Sequence, residues 1–212
     1  MRVVFNQLLF WLANSSELLN FLQSDVDFAE TTNISSHLLA NCIDSAFHEL
    51  RRGFLELVKH LTPSLLFPGD YDQQDDLRLD DRPLLPNENI NWSIPSSQEP
   101  NIQRLLQSFA FMMRGMRQAC VNVSFALQFF AYVFHAMGSW TFNAIIQTEG
   151  KQESKKGNHG NLWTSRLGAG RLMRRLDRVK QWASRHGLGT ICEVHLILPF
   201  QVNMYLLKIL SM

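Results

Sequence analysis

The chain has 212 residues, of which 46% are apolar, 11% aromatic and 18% charged. This apolar content is enough to bury a core of ordinary domain size, which excludes disorder of the chain as a whole. Twenty Lys and Arg against nineteen Asp and Glu give a formal net charge of +1, so nothing in the overall charge indicates a nucleic-acid-binding protein. Three Cys residues without a C-x-x-C spacing indicate no disulfide framework and fit a reducing, cytoplasmic setting.

Apolar spacing predicts a first helix over residues 1–22. Its stripe repeats every three or four residues, at Met1, Phe5, Leu8, Leu12, Leu19 and Leu22. Five more apolar residues broaden the stripe, namely Leu9, Phe10, Trp11, Leu18 and Phe21. We therefore expect this helix to be buried on more than one side.

A second helix is predicted over about residues 35–61, with Ser36 as a candidate N-cap and Pro63 as its end. Residues 67–100 then hold five of the seven Pro residues and a net charge of −6, which predicts a mobile acidic loop. The loop opens with a D-x-D pattern at Asp70 and Asp72, but Asp75 stands where a calcium-binding loop needs Gly. No calcium site is predicted there.

Helical periodicity resumes after Pro100, and no charged residue occurs between Arg117 and Glu149. An uncharged stretch of this length is long enough to span a bilayer. Five polar side chains oppose that reading, because each is costly in hydrocarbon: Asn122, Gln128, His135, Asn143 and Gln147. We expect two buried helices instead, over residues 121–137 and 140–147, with a break at Gly138 and Ser139; a small helical membrane protein is the alternative.

Residues 151–185 are basic, and the helix predicted within them is amphipathic and cationic. Its charged side is open to three interpretations: a solvated face, a contact for the acidic loop or an acidic partner, and a contact for an anionic membrane or nucleic acid. The candidate contacts for an acidic partner are Arg171, Arg174, Arg175 and Arg178. His186 and Gly187 predict a C-cap with a left-handed residue after the last turn.

Residues 188–212 are apolar and are interrupted by Pro199. We expect this segment to leave apolar surface uncovered and to be a candidate for self-association, with the chain incomplete at its C-terminus. No strand-like alternation occurs anywhere in the sequence, so we expect an all-α helical bundle forming one domain over residues 1–212.

Sequence motifs for catalysis or cofactor binding are absent. Gly168 and Gly170 form a lone G-x-G without a P-loop ending, and Cys192 with His195 offers two ligands where structural zinc needs four. His135 lies in the apolar stretch and is expected to be a hydrogen-bonded core residue. We therefore predict no catalytic, cofactor-binding or metal-binding residues, and a protein that is not an enzyme.

Three blocks of the sequence resemble the dilute (DIL) domain, which occurs in class V myosin tails and in the afadin/Canoe and Radil families. The first block, residues 10–22, contains Trp11, Asn14, Glu17, Leu18, Leu19 and Phe21. The second is most similar to the afadin/Canoe form and contains Asn122, Gln128, Phe130, Phe134, His135, Trp140, Phe142 and Asn143. The third consists of Trp163 and then residues 176–188, which contain Trp182.

The resemblance implies a helical protein-interaction module without catalytic activity, located at cell-cell junctions or the cell cortex. Its partners would be junctional, cytoskeletal or cargo-adaptor proteins, in scaffolds linked to Ras- and Rap-type small GTPases. The alternative within the family is the cargo-binding tail of a class V myosin. Four motif aromatics are expected in the core, because they also lie on apolar helical stripes: Trp11, Phe21, Phe130 and Trp140.

Overall fold

A computed structural model describes residues 2–24, 31–62, 101–149 and 166–198 of the chain. All the elements in these ranges are helical, which confirms the predicted all-α class. The helices are α1 (Arg2–Ser24), α2 (Asn33–Leu61), α3 (Asn101–Gln118), α4 (Val123–Glu149), α5 (Arg166–Arg185) and α6 (Gly189–Cys192), and a π-helical turn, Glu193–Ile197, follows α6. The predicted acidic loop and residues 199–212 lie outside the described residues.

The predicted break at Gly138 and Ser139 is wrong, because α4 runs without interruption through both residues. Gly138 is buried, and a Cβ atom on it would lie 3.1 Å from the backbone oxygen of His195. The glycine therefore permits close packing of the π-helical turn and does not end the helix. None of the helices in the described ranges is long and apolar enough to cross a bilayer.

The predicted N-cap at Ser36 is also wrong, because α2 begins at Asn33 and Ser36 lies in its first turns. The Ser36 N–H already donates to the carbonyl oxygen of Thr32, at 2.8 Å. The other end of α2 agrees with the prediction at Leu61. There the Thr62 hydroxyl and N–H both donate to the carbonyl oxygen of Val58, at 2.8 and 2.9 Å, which closes the last turn.

The turn between α3 and α4 is built around Cys120, which has a φ of 56°. The N–H of Val121 donates to Met116 and that of Cys120 donates to Arg117, at 2.9 and 3.1 Å, in the pattern of a Schellman C-cap. Asn122 then caps α4, because its Oδ1 accepts the N–H of Ser124 at 2.9 Å. A non-glycine residue thus occupies the position where glycine is usual.

The predicted C-cap of α5 is confirmed. Gly187 has a φ of 78°, and the N–H of Leu188 donates to the carbonyl oxygen of Ala183 at 2.8 Å. The His186 ring stacks on Trp182, with centroids 4.4 Å apart.

The chain divides into two compact units. Unit 1 comprises Met1–Glu56 and Ala110–Phe129, and unit 2 comprises Leu57–Phe109 and Phe130–Met212. In unit 1 the buried Phe54 ring contacts that of Phe129 at a centroid distance of 5.3 Å. In unit 2 the Trp182 ring lies 5.2 Å from Phe109 and 5.7 Å from Phe130, so one aromatic cluster joins α3, α4 and α5. Each cluster is dry, because all five of these side chains are buried.

Candidate functional site

The outer side of α1 carries a row of exposed apolar side chains, which we name the α1 ridge: Val4, Phe10, Trp11, Leu18 and Phe21. Trp11 is 62% exposed and Phe21 is 61% exposed. The expectation that these two aromatics belong to the core is therefore wrong, as is the expectation that α1 is buried on more than one side.

The ridge is exposed because α1 packs against the rest of unit 1 through its opposite face. That face consists of Phe5, Leu9, Leu12 and Ala13, all of which are buried. Two glycines let it approach closely: a Cβ on Gly53 would lie 3.3 Å from the Phe5 ring, and one on Gly115 would lie 2.8 Å from Leu9 Cδ1. Of the five residues expected to broaden the buried stripe, Leu9 alone is covered.

Ridge residues align along the helix because Val4, Trp11 and Leu18 are spaced by seven residues, close to two helical turns. Phe10 and Trp11 pack edge to face, with ring centroids 6.0 Å apart. The ridge is therefore a continuous surface and not a set of scattered exposed residues.

A cleft of about 410 Å³ opens in unit 1, and we name it the unit 1 cleft. It is lined from α1 by Ser16, Glu17, Leu19, Asn20 and Gln23, from α2 by Ala40, Ile43, Asp44 and Phe47, and from the start of α4 by Asn122, Phe125 and Gln128. The lining combines apolar side chains with side-chain amides and two carboxylates. The cleft thus offers both an apolar contact surface and hydrogen-bonding groups.

Residues from the first two DIL-like blocks meet in this region. Glu17 and Leu19 come from the first block, Asn122 and Gln128 come from the second, and all four line the unit 1 cleft. Asn14 is exposed beside the ridge, where its side-chain amide donates to the carbonyl oxygen of Phe10 at 2.7 Å.

The remaining motif positions of the second and third blocks lie in unit 2. Phe130, Phe134 and Trp182 are buried, Trp140 and Phe142 are half-buried, and Asn143 is exposed. His135 is exposed, so its expected place in the core is wrong. Its ring lies 6.3 Å from that of His195, a residue of the π-helical turn.

The four basic residues of α5 that were candidate contacts differ in their exposure. Arg174 is exposed and Arg178 is half-buried, whereas Arg171 has no described side chain. Arg175 is only 2% exposed, so its proposed contact with an acidic partner is wrong. It follows the buried Leu172 by three residues, which places it on the packed face of the helix.

The described ranges contain no candidate metal site. No three His, Cys, Asp or Glu residues there come together as metal ligands. Burial raises the pKa of the Cys192 thiol to about 12, with a further contribution from Glu193, against the opposing effect of Lys180. This thiol therefore stays protonated and is a poor nucleophile at neutral pH.

No protein-family model matches the chain, and no solved structure matches it significantly. The resemblance to DIL domains consequently rests on the three sequence blocks.

Sequence reasoning missed several residues of the unit 1 cleft, among them Asp44 and Phe125. Asp44 follows Ala40 by four residues and Phe47 follows Asp44 by three, so helical spacing could have grouped them on one side of α2. The spacing gives no signal that this side is open, because that depends on the distance between α1 and α2.

Proposed function

We propose that the chain is a non-catalytic protein-interaction module of an afadin-like scaffold. It acts in the cytoplasm at cell-cell junctions, in complexes linked to Ras- and Rap-type small GTPases. The DIL-like sequence blocks support this assignment, and the α1 ridge is the observation that carries it.

The extent of the ridge is what supports a binding role. A Phe or Trp side chain buries about 150–250 Å² when it is covered, and the three aromatics of the ridge are 57–62% exposed. With Val4 and Leu18, the ridge leaves roughly 400–500 Å² of apolar surface in water, which is in the range of the largest patches on soluble monomers. Such patches commonly mark interaction sites.

The aromatic content supports the same conclusion. Trp and Phe are enriched at the centres of protein interfaces, where they contribute a large contact area for few rotatable bonds. Trp11 lies midway along the ridge, with Val4 and Leu18 at equal distances on either side. It is therefore the expected anchor of the contact.

The experiment compares the location of the fluorescently tagged chain and its variants in epithelial cells. We expect the unmodified chain to concentrate at cell-cell contacts and the Trp11→Ser/Phe21→Ser variant to become diffuse. The matched control is Ile34→Ser/Leu38→Ser, which removes two other exposed apolar side chains of unit 1. Circular dichroism of the purified variants verifies that their helix content is unchanged.

Diffuse distribution of the unmodified chain would contradict the junctional assignment. Junctional enrichment that survives the loss of Trp11 and Phe21, or that is lost equally in the control, would contradict the role of the ridge.

A further inference from the structure

We propose that the unit 1 cleft binds an amphipathic helix of a partner protein, in which an apolar side chain is flanked by Lys or Arg. The proposal rests on the interaction function proposed above and assigns one partner chemistry to a second surface of unit 1.

The apolar part of the lining fits a side chain of a partner. Ile43 and Phe47 are buried at the cleft, and the Phe47 ring lies 5.7 Å from that of Phe125. Leu19 faces the same space from α1. A volume of about 410 Å³ is at the small end of ligand-binding sites and accommodates one or two large apolar side chains. Docking an apolar helix face into a groove between helices is a common mode of peptide recognition.

The charged part of the lining has a single sign. Glu17 on α1 and Asp44 on α2 are both exposed and both line the cleft, and none of the described residues that line it is Lys or Arg. The two carboxylates lie on different helices, so a cationic side chain on each side of a bound helix would meet one of them. Charge complementarity of this kind selects partners and orients them more than it adds affinity.

The C-terminal end of α1 adds to the negative charge of the cleft and so also favours a cationic partner. Asn20 and Gln23 line the cleft from the C-terminal part of α1, where the helix dipole is negative and no basic side chain occurs in the last turn. The start of α4 also borders the cleft with its positive end. There Asn122 already supplies an acceptor to the N–H of Ser124, so part of this end is satisfied within the chain.

The test uses two fluorescent helical peptides of about 18 residues, or five turns, with Leu at the same positions on one face. One peptide carries Lys at the flanking positions, and the other carries Glu there. Fluorescence anisotropy with the full chain measures each dissociation constant. We expect the Lys peptide to bind about tenfold more tightly than the Glu peptide, and its advantage to shrink as salt rises from about 0.1 to about 0.5 M.

Variants of the chain then locate the site. Glu17→Gln/Asp44→Asn should weaken binding of the Lys peptide about fivefold, because two exposed ion pairs are lost. The matched control, Glu49→Gln/Glu56→Gln, removes the same charge from exposed positions of α2 that do not line the cleft, and it should leave the affinity unchanged. Ala40→Phe fills the cleft and should abolish binding of the peptide.

Equal binding of the two peptides, no binding of either, or equal effects of the cleft variant and its control would overturn the proposal. The Trp11→Ser/Phe21→Ser variant separates the proposals, because it should still bind the Lys peptide. If the unmodified chain fails to bind the peptide, the cleft proposal is rejected. The ridge proposal is still supported in that case if the Trp11→Ser/Phe21→Ser variant loses its junctional enrichment.

Discussion

The backbone oxygen of His195 lies 3.1 Å from the point that a Cβ atom on Gly138 would occupy. The π-helical turn therefore packs directly on the backbone of α4, without a side chain between them. An ion pair between Lys180 of α5 and Glu193 links the same turn to a second helix. The hydrogen bond from this ion pair raises the pKa of Lys180 and keeps its ammonium charged.

Replacing Gly138 with Val should destabilise the chain by about 2 kcal/mol, since the turn must move away from α4 to make room for the Cβ atom and its two methyl groups. The matched control is Ser139→Val, at the next and exposed position of the same helix, which should change stability by less than about 0.5 kcal/mol. Urea unfolding followed by circular dichroism measures both. Equal losses would attribute the effect to the helix propensity of Val and not to the contact.

Two tryptophans of opposite exposure should respond differently to truncation. Trp182→Ala should cost about 3–5 kcal/mol, because Trp182 is buried in the aromatic cluster of unit 2. Trp11→Ala should cost less than about 1 kcal/mol, because its side chain is mostly in water. Chemical denaturation measures the free energy of unfolding of the two variants. A large loss of stability for Trp11→Ala would show that Trp11 belongs to the core.

The turn at Cys120 should be improved by glycine. A residue with a Cβ atom in the left-handed region, such as Cys120, costs about 1–2 kcal/mol of strain. Glycine removes this strain, but it also gives the unfolded chain more conformational freedom, which lowers the gain. Cys120→Gly should therefore raise the free energy of unfolding by about 1 kcal/mol. Cys120→Ala is the control, because it removes the thiol and keeps the Cβ atom, and it should leave stability nearly unchanged. Thermal melts of the unmodified chain and the two variants show whether a gain in stability comes from relief of backbone strain or from removal of the thiol.

The buried Cys192 thiol should be protected from reagents. At about pH 8, a thiol reagent should modify the exposed Cys42 and Cys120 rapidly and should reach Cys192 after denaturation. Peptide mapping by mass spectrometry identifies the modified residues. Rapid modification of Cys192 in the folded chain would contradict its burial.

The same thiol links stability to alkaline pH. The folded-state pKa is raised from 9.0 to about 12, so between these values the unfolded chain releases the thiol proton while the folded chain keeps it. This contribution to stability is complete below pH 9 and is lost as the pH rises towards 12. Cys192→Ala should therefore show a shallower decline in stability over that range. Identical declines for the two proteins would contradict the raised pKa.

The sequence alone was sufficient for features that depend on neighbouring residues. The spacing of Phe5 and Leu12 predicts the inner stripe of α1, and both side chains are buried. The C-cap at Gly187 is likewise predictable, because a Schellman motif is formed by residues within one turn of each other. The helical class follows for the same reason, since an apolar repeat of three to four residues is a local property.

Tertiary structure alone decided which of the apolar and charged side chains are covered. Trp11 and Leu9 are both apolar and only two residues apart, yet Trp11 is exposed and Leu9 is buried, because the described residues pack against the face of α1 that carries Leu9. The sequence predicts a helix break at Gly138, whereas in the structure this glycine allows the carbonyl group of His195 to pack against α4. The sequence likewise predicts a surface cation at Arg175, but this side chain is buried. Periodicity records what lies on each face of a helix, but burial depends on which residues distant in the chain pack against that face, and no local pattern contains that information.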